Sequence, residues 1–333
     1  MRRTLITAVV AAMLVAVPAP AALAAPCAPP AATDTSTAAG WVGYLAEHRD
    51  DVALVVDDGR GGTVRHRADA AMPTASMVKL IHLAALTGRA GVGRIDLNER
   101  IPIADWQRWY VDYRGTPLDG GAHAEALKYL GIPATKGVPD DASGTVSLYQ
   151  LADVMIRFSD SAAPDALRAR LGDDALQDVM TRYGMPGPVP SMKNLYDGLL
   201  ASGASTAAQL TSATDRTYSA PASSFARLVG DLASGRFGPG SETARRFLEF
   251  QDARPSGLLA LGFKGGSLPG IRTEAFEGRR PDGSVTVGVL MVRRASAADL
   301  RKDDEAGMPH QRMLLAAMTD GAARERVACA LRT

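Results

Sequence analysis

The chain has 333 residues, 46% of them hydrophobic and 22% charged, and a net charge of +1. That composition suits a globular protein with a sizeable core. It excludes a strongly basic surface, so nucleic acid is not an expected partner.

Residues 1–24 read as an export signal. Arg2 and Arg3 form a positive start, residues 5–17 are apolar, and Ala22-Leu23-Ala24 has the small-x-small pattern of a cleavage site. The apolar run is too short for a membrane span, and no transmembrane segment is expected once it is removed. The arginine pair admits either ordinary or twin-arginine export. Two cysteines remain, Cys27 and Cys329. Outside the cytoplasm two such residues tend to pair, and a Cys27–Cys329 bridge would tie the two ends together. Two free thiols, or lipidation at Cys27 despite the unfavourable Pro26, are the alternatives.

Residues 25–39 are rich in Ala, Pro, Thr and Ser and read as a disordered leader, with one domain spanning 40–333. Trp41, Tyr44 and Leu45 carry helical spacing. Residues 52–56 are a buried strand, and 64–67 return as the second strand of a hairpin. A largely buried helix carries Met77, Leu80 and Ile81 and stops at Gly88. Trp106, Trp109, Tyr110 and Tyr113 read as local core, with a substrate-site wall as the alternative. Residues 116–123 and 133–144 read as loops. Ser147 to Gln150 is a capping box. Helices then follow over 148–158, over 162–171 capped by Ser161, and after Asp173 up to Gly184. Further helices fit 223–233 and 241–251. The period then changes to strands over 261–267, 272–279 and 284–293, and a last helix spans 309–331. Strands at both ends and helices between them predict an α+β fold: a mainly antiparallel sheet built from both chain ends, with an inserted all-helical lobe.

The chemistry gathers on three short motifs. Ser76 and Lys79 stand three residues apart at the start of a helix, hence on one face. A serine hydroxyl needs a base within reach, and a desolvated lysine can serve. The helix start adds N–H donors where an oxyanion would form. Ser159-Asp160-Ser161 follows at a joint between helices. Lys264-Gly265-Gly266-Ser267 follows on a strand, 105 residues after Ser159. Ser-x-x-Lys, then Ser-Asp-x, then Lys-x-Gly in this order resembles the class A β-lactamase and penicillin-binding protein superfamily over residues 40–333.

The resemblance implies a β-lactamase/transpeptidase-like fold and an acyl-enzyme mechanism without a cofactor. Ser76 would be the nucleophile, Lys79 its base, and Ser159 the proton shuttle. Ser161 stands where the family has an asparagine that binds the substrate amide. Lys264 would support Ser159 and attract an anionic substrate. Ser267 would supply an oxyanion N–H beside Gly266, and Arg272 would meet a substrate carboxylate. The substrate implied is a β-lactam, a D-alanyl cell-wall peptide, or a related small amide or ester.

Three departures qualify the resemblance. Asparagine is replaced by Ser161, and the threonine of Lys-Thr-Gly is Gly265. The loop carrying the deacylating glutamate is absent, since no glutamate lies between Glu125 and Glu242. Slow release of the acyl group is therefore expected, from a secreted serine hydrolase slow on β-lactams; a D-alanyl carboxypeptidase or esterase, or a penicillin-binding sensor without turnover, are the alternatives. Asp197 is a candidate replacement base. The five histidines lack metal-ligand spacing, and no metal is expected. His82 reads as core and His123 as a residue near the cleft. Asp303-Asp304-Glu305 reads as a solvated run.

Overall fold

The computed structural model describes Cys27 and residues 33–113, 116–117 and 119–332. The expected export signal and most of the expected leader lie outside the described residues.

Five antiparallel strands form the central sheet: β1 (Val52–Asp57), β2 (Thr63–His66), β3 (Ala260–Leu268), β4 (Ile271–Arg279) and β5 (Val285–Val292). Their order is β3-β4-β5-β1-β2, so the N-terminal hairpin joins the C-terminal meander through β1 and β5. The register there pairs Val52 with Val292 and Asp57 with Val287. β3 is one edge of the sheet.

Both faces of the sheet are covered, and strand alternation sorts the side chains between them. Leu54, Val56 and Leu290 face a core shared with Trp41, Leu45, Leu314 and Met318. Their neighbours Ala53, Val55, Val289 and Met291 face the larger core of the helical lobe. The first layer consists of the helices Ala38–Glu47, Pro309–Thr319 and Gly321–Arg332. The expected α+β layout is the one observed.

Several local expectations are corrected. Order begins before Gly40: Thr35 is fully buried and donates to the Asp299 carbonyl, and the Thr37 hydroxyl caps the first helix at Gly40 N. The helix expected to stop at Gly88 runs over Lys79–Gly91; Gly88 is there for close packing and not as a stop, since a Cβ would stand 3.2 Å from the Phe237 ring. The last helix is two helices. Asp320 is extended and caps the second through its Oδ1 at Ala323 N. Asp303 is fully buried on the helix Ala297–Glu305, not part of a solvated run. Asp160, not Ser161, caps the helix Ala163–Leu171, through Oδ1 at Ala163 N. Asp173 is the first residue of its helix, which Gly172 precedes. Residues 122–123 open a helix, Ala122–Tyr129, rather than closing a loop. The helices Met192–Ala201 and Ala207–Thr214 were not expected. The second is short and rich in Ala, Ser and Thr, whereas the first carries Met192, Leu195, Tyr196 and Leu199 at helical spacing, a period missed at the sequence level.

Cys27 and Cys329 form a disulfide with a Cα–Cα separation of 5.4 Å. It closes a loop of 302 residues. Replacing Cys329 by Ser is expected to lower unfolding free energy by about 2–4 kcal/mol, since long closed loops restrict the unfolded chain. Denaturant titration with and without reductant checks this: the gap between the two proteins should close when the wild type is reduced.

Candidate active site

Ser76 sits in a short 3₁₀ turn, Ala75–Val78, that runs directly into the helix Lys79–Gly91. The preceding Ala75 has a left-handed backbone, φ 44°. Ser159, at the joint after the helix Leu148–Arg157, is also left-handed, φ 62°. Neither is glycine, so both conformations are strained and must be held by their surroundings. What they achieve is convergence of three chain segments on one point.

That point is the Lys79 ammonium, which is fully buried. Nζ lies 2.9 Å from Ser76 Oγ, 3.1 Å from Ser159 Oγ and 3.3 Å from Ser161 Oγ, and it donates to the Ser159 carbonyl at 2.6 Å. Lys264 Nζ, on β3, reaches Ser159 Oγ from the other side at 2.9 Å and also donates to the Gly265 carbonyl. Ser159 Oγ thus bridges two lysines. Burial pulls the Lys79 pKa down to about 8, against the opposing pull of the Asp160, Asp119 and Asp165 carboxylates. Burial, and then the neighbouring Lys79 charge, pushes Lys264 well below the ordinary lysine range. A buried lysine that readily gives up its charge, within hydrogen-bond reach of a hydroxyl, is an arrangement for taking that hydroxyl's proton.

Gly266 is fixed by close approach: a Cβ there would stand 2.5 Å from Ser76 N and 2.7 Å from Thr273 Oγ1. The Thr273 hydroxyl donates to the Thr74 carbonyl at 3.0 Å, which binds β4 to the turn holding Ser76. Ser267 is exposed on the same edge strand. Leu268 and Ile271 close the two-residue turn at Pro269-Gly270. In an antiparallel pair alternate residues exchange their bonds, so this register turns the Ser267 N–H outward from β4. These parts line a cleft of about 800 Å³ that also contains Tyr196, Asp119 and Arg272.

Ser76, Ser159, Ser161, Lys264, Gly266, Ser267 and Arg272 line this cleft and Lys79 lies directly beneath it, whereas the candidate base Asp197 does not reach it. Arg272 reaches the cleft with its guanidinium engaged by Asp304 Oδ1 at 2.6 Å. Ser161 Oγ meets Tyr196 Oη at 3.2 Å. Burial raises the Tyr196 pKa to about 12, so the phenol stays protonated and is no base at neutral pH. Nothing in the sequence marks Tyr196, which lies in the middle of the helix Met192–Ala201 that follows a Pro/Gly loop. Asp197 does not serve the site; it pairs with Lys193 at 2.8 Å on an exposed helix face. Asp165 is buried, but its two oxygens are held by Met192 N and Lys193 N. Asp119 lines the cleft and accepts from Gly121 N and His123 N.

His123 is buried behind the cleft, not at its surface. Its Nδ1 stands 2.5 Å from Asp160 Oδ2 and its Nε2 2.9 Å from Gln107 Oε1. The Trp106 indole donates to Asp160 Oδ1 at 3.1 Å, and the Tyr110 ring stacks on the imidazole at 4.5 Å. Trp106 and Tyr110 are therefore support for the Ser159 joint, and they do not line the cleft. His82 is fully buried, and burial lowers its pKa to about 4. Among the described residues no group of His, Cys, Asp and Glu could hold a metal.

With this geometry in place, likeness to known proteins acquires meaning. The sequence profile of the beta-lactamase enzyme family matches residues 39–307. A beta-lactamase from Sphaerobacter thermophilus DSM 20745 superposes with a TM-score of 0.59 at 22% identity, covering 86% of this chain and 98% of that one. PBP-A superposes with a TM-score of 0.57 at 15% identity, covering 88% and 93%. A PBP-A mutant solved as an acyl-enzyme complex with penicillin G gives 0.55 at 15% identity, covering 84% and 96%. At such identities the superpositions speak for the fold alone. No curated protein matches the chain.

Proposed function

The chain belongs to the beta-lactamase enzyme family and is a serine hydrolase acting through an acyl-enzyme, and we propose that Ser76 Oγ is the acylated atom and a β-lactam or related small amide or ester the substrate. The observation that carries this is the hydrogen-bonded series Ser76–Lys79–Ser159–Lys264 at the floor of an open cleft.

Ser76 Oγ attacks the carbonyl carbon as its proton passes to neutral Lys79 Nζ. The oxyanion forms against the N–H groups of Ser76 and Ser267, whose charge stabilisation is available without reorganisation. The C–N or C–O bond then breaks. The leaving atom takes a proton from Ser159 Oγ, which is resupplied by the lysine pair. Deacylation needs a water activated by a base on the far side of the acyl group. That region holds Ser161 and Tyr196, and no glutamate lies between Glu125 and Glu242. With Asp165 and Asp119 each held by two backbone amides, the base this reading assigns is Lys79 itself, freed once its proton has moved on. Acylation should therefore outpace release on β-lactams. The same observation favours, as a second reading, a penicillin-binding sensor with no turnover; a D-alanyl carboxypeptidase or esterase would use the same acylation step.

The protein is exported in this reading. Its disulfide suits an oxidising compartment, and Arg2, Arg3 and the apolar run after them suit an export signal. Among the described residues no helix is long and apolar enough to cross a membrane.

A burst assay with a chromogenic cephalosporin tests the proposal. One equivalent of product should appear quickly, followed by slow release, with the adduct mapped to Ser76 by peptide mass. The acylation rate should climb with pH and level off above about 8, because neutral Lys79 is the acceptor and its fraction grows as pH rises through its pKa. Failure of every β-lactam and activated ester to modify Ser76 would sink the proposal. Rapid steady turnover with no accumulating adduct would remove the slow-release part.

A further inference from the structure

The cleft does not end at Tyr196. Beyond it a second hollow of about 390 Å³ opens between the helices Met192–Ala201 and Ala207–Thr214 and the turn that follows β3. Tyr196, Leu210 and Leu268 line both the cleft and this hollow, so the two are continuous. Leu199, Leu200 and Ala204 add to its walls. Leu200 is 37% exposed, and Leu199, Leu210 and Leu268 are half-buried. Among the described residues no charged side chain lines it. The polar groups at its rim are spent locally. Ser202 Oγ donates to the Leu199 carbonyl at 2.6 Å, Gln209 Oε1 accepts from Ser205 N and Thr206 N, and the Tyr196 hydroxyl is turned to Ser161.

The position of the hollow decides which part of a substrate would enter it. When Ser76 Oγ bonds to the carbonyl carbon, the carbonyl oxygen is directed at Ser76 N and Ser267 N, and the leaving atom at Ser159 Oγ. The one remaining substituent is the chain of the acyl group. It points away from Ser159 and Lys264, past Ser161 to Tyr196. Leu268 directly follows Ser267, so this chain would meet the hollow one residue from the oxyanion donor. The opposite end of the cleft is charged, with Arg272, Arg301 and Asp304. Leucine side chains held part-exposed around a hollow gain from any apolar group that removes them from water. A concave apolar site beside a few fixed polar groups is the general form of a small-molecule site.

We propose that this hollow is an acyl-chain subsite, and that the protein takes ester or amide donors whose acyl group is an aliphatic chain longer than acetyl. The inference rests on Ser76 being the acylated atom, and it names the class of acyl group delivered to it.

The p-nitrophenyl esters of acetic, butanoic and hexanoic acid test it on the full chain, with the ω-hydroxyhexanoyl ester as the polar control. In each, Ser76 Oγ bonds to the carbonyl carbon, the C–O bond to the phenol breaks, p-nitrophenolate leaves, and the Ser76 proton passes to Lys79. Phenolate release and the mass of the Ser76 adduct are followed together, and each second-order acylation rate is divided by that ester's rate with hydroxide. The corrected rate should rise about fourfold per methylene, the gain from burying a CH₂ group. The terminal hydroxyl should remove most of the hexanoyl advantage, because the hollow offers it no partner. Ala204→Trp, which fills the hollow, and Leu200→Asp, which puts a charge on its wall, should each cut the hexanoyl-to-acetyl preference by about tenfold. Leu200 is exposed, so its variant decides the matter even if Ala204→Trp disturbs the loop. A corrected rate that is flat or falls with chain length, a hydroxyl-ended chain as fast as the apolar one, or a preference unmoved in both variants overturns the proposal and leaves Ser76 acylation standing. If no ester modifies Ser76, the acylation reading fails and this inference falls with it.

Discussion

Alanine at Ser76 and methionine at Lys79 are each expected to lower the acylation rate by about 10⁴-fold or more, and the double variant no further than the worse single, because groups that act as one unit are grossly non-additive. Ser76 supplies the bonding atom. Lys79 Nζ, 2.9 Å away and fully buried, is the group placed to receive its proton. Methionine keeps the volume of the lysine stem in that packed position, so loss of rate reports the amine and not a cavity. Single-turnover measurement with the chromogenic cephalosporin, with adduct mass as the second readout, checks the set. Wild-type acylation in Lys79→Met would show that another group is the base. A double variant that loses the product of both single effects would show that the two residues act separately.

Asp160→Ala is expected to cost about 3–5 kcal/mol of stability, because it leaves three buried groups without their hydrogen-bond partner. Asp160 is fully buried. Its Oδ1 accepts from the Trp106 indole and from Ala163 N, and its Oδ2 faces His123 Nδ1. Alanine leaves all three unsatisfied. Asparagine keeps an oxygen for Trp106 and Ala163 and should cost less, about 1–3 kcal/mol. Burial alone would raise the Asp160 pKa, but the His123 charge and the bonds from His123, Trp106 and Ala163 N outweigh it and hold it below the ordinary range. Its contribution to stability is therefore present above the unfolded-state pKa and is lost as pH falls through the lower folded one. Denaturant titrations of wild type and Asp160→Asn from neutral to acid pH check the sign: their difference should shrink toward the acid end. The same anion raises the Lys79 pKa. Without it the rise of acylation with pH should move to lower pH. An unmoved profile would separate Asp160 from the lysine.

The part of the site read from the sequence is the part that depends on short spacing. Ser76 and Lys79 share a helical face because they are three residues apart, and Ser159 and Lys264 belong to motifs that name their own residues. The antiparallel sheet was legible because 52–56 is a short continuous apolar run, 284–293 is rich in valine, and Pro281-Asp282-Gly283 marks its turn. What was not legible depends on long-range register. Leu268 is an ordinary strand residue until the turn after β3 is laid beside Leu199 and Leu210. Tyr196 acquires a role only when the helix behind Pro190 folds back over Ser161. Asp303, in a run of three acids, looks solvated until His310 and Trp41 close on it. Asp160 was visible as part of a motif, yet its partners Trp106 and His123 come from the stretch with the least periodicity.

The disulfide also fixes where load enters the fold. Cys329 lies in the helix Gly321–Arg332, which packs on β2, while the cleft is built on β3 at the opposite edge. Four strand spacings separate those edges, about 19 Å. A pull on the polypeptide ahead of Cys27 is carried by the covalent bridge to that far helix, so a tether at this end would strain the β2 margin and leave the lysine pair and its serines unloaded.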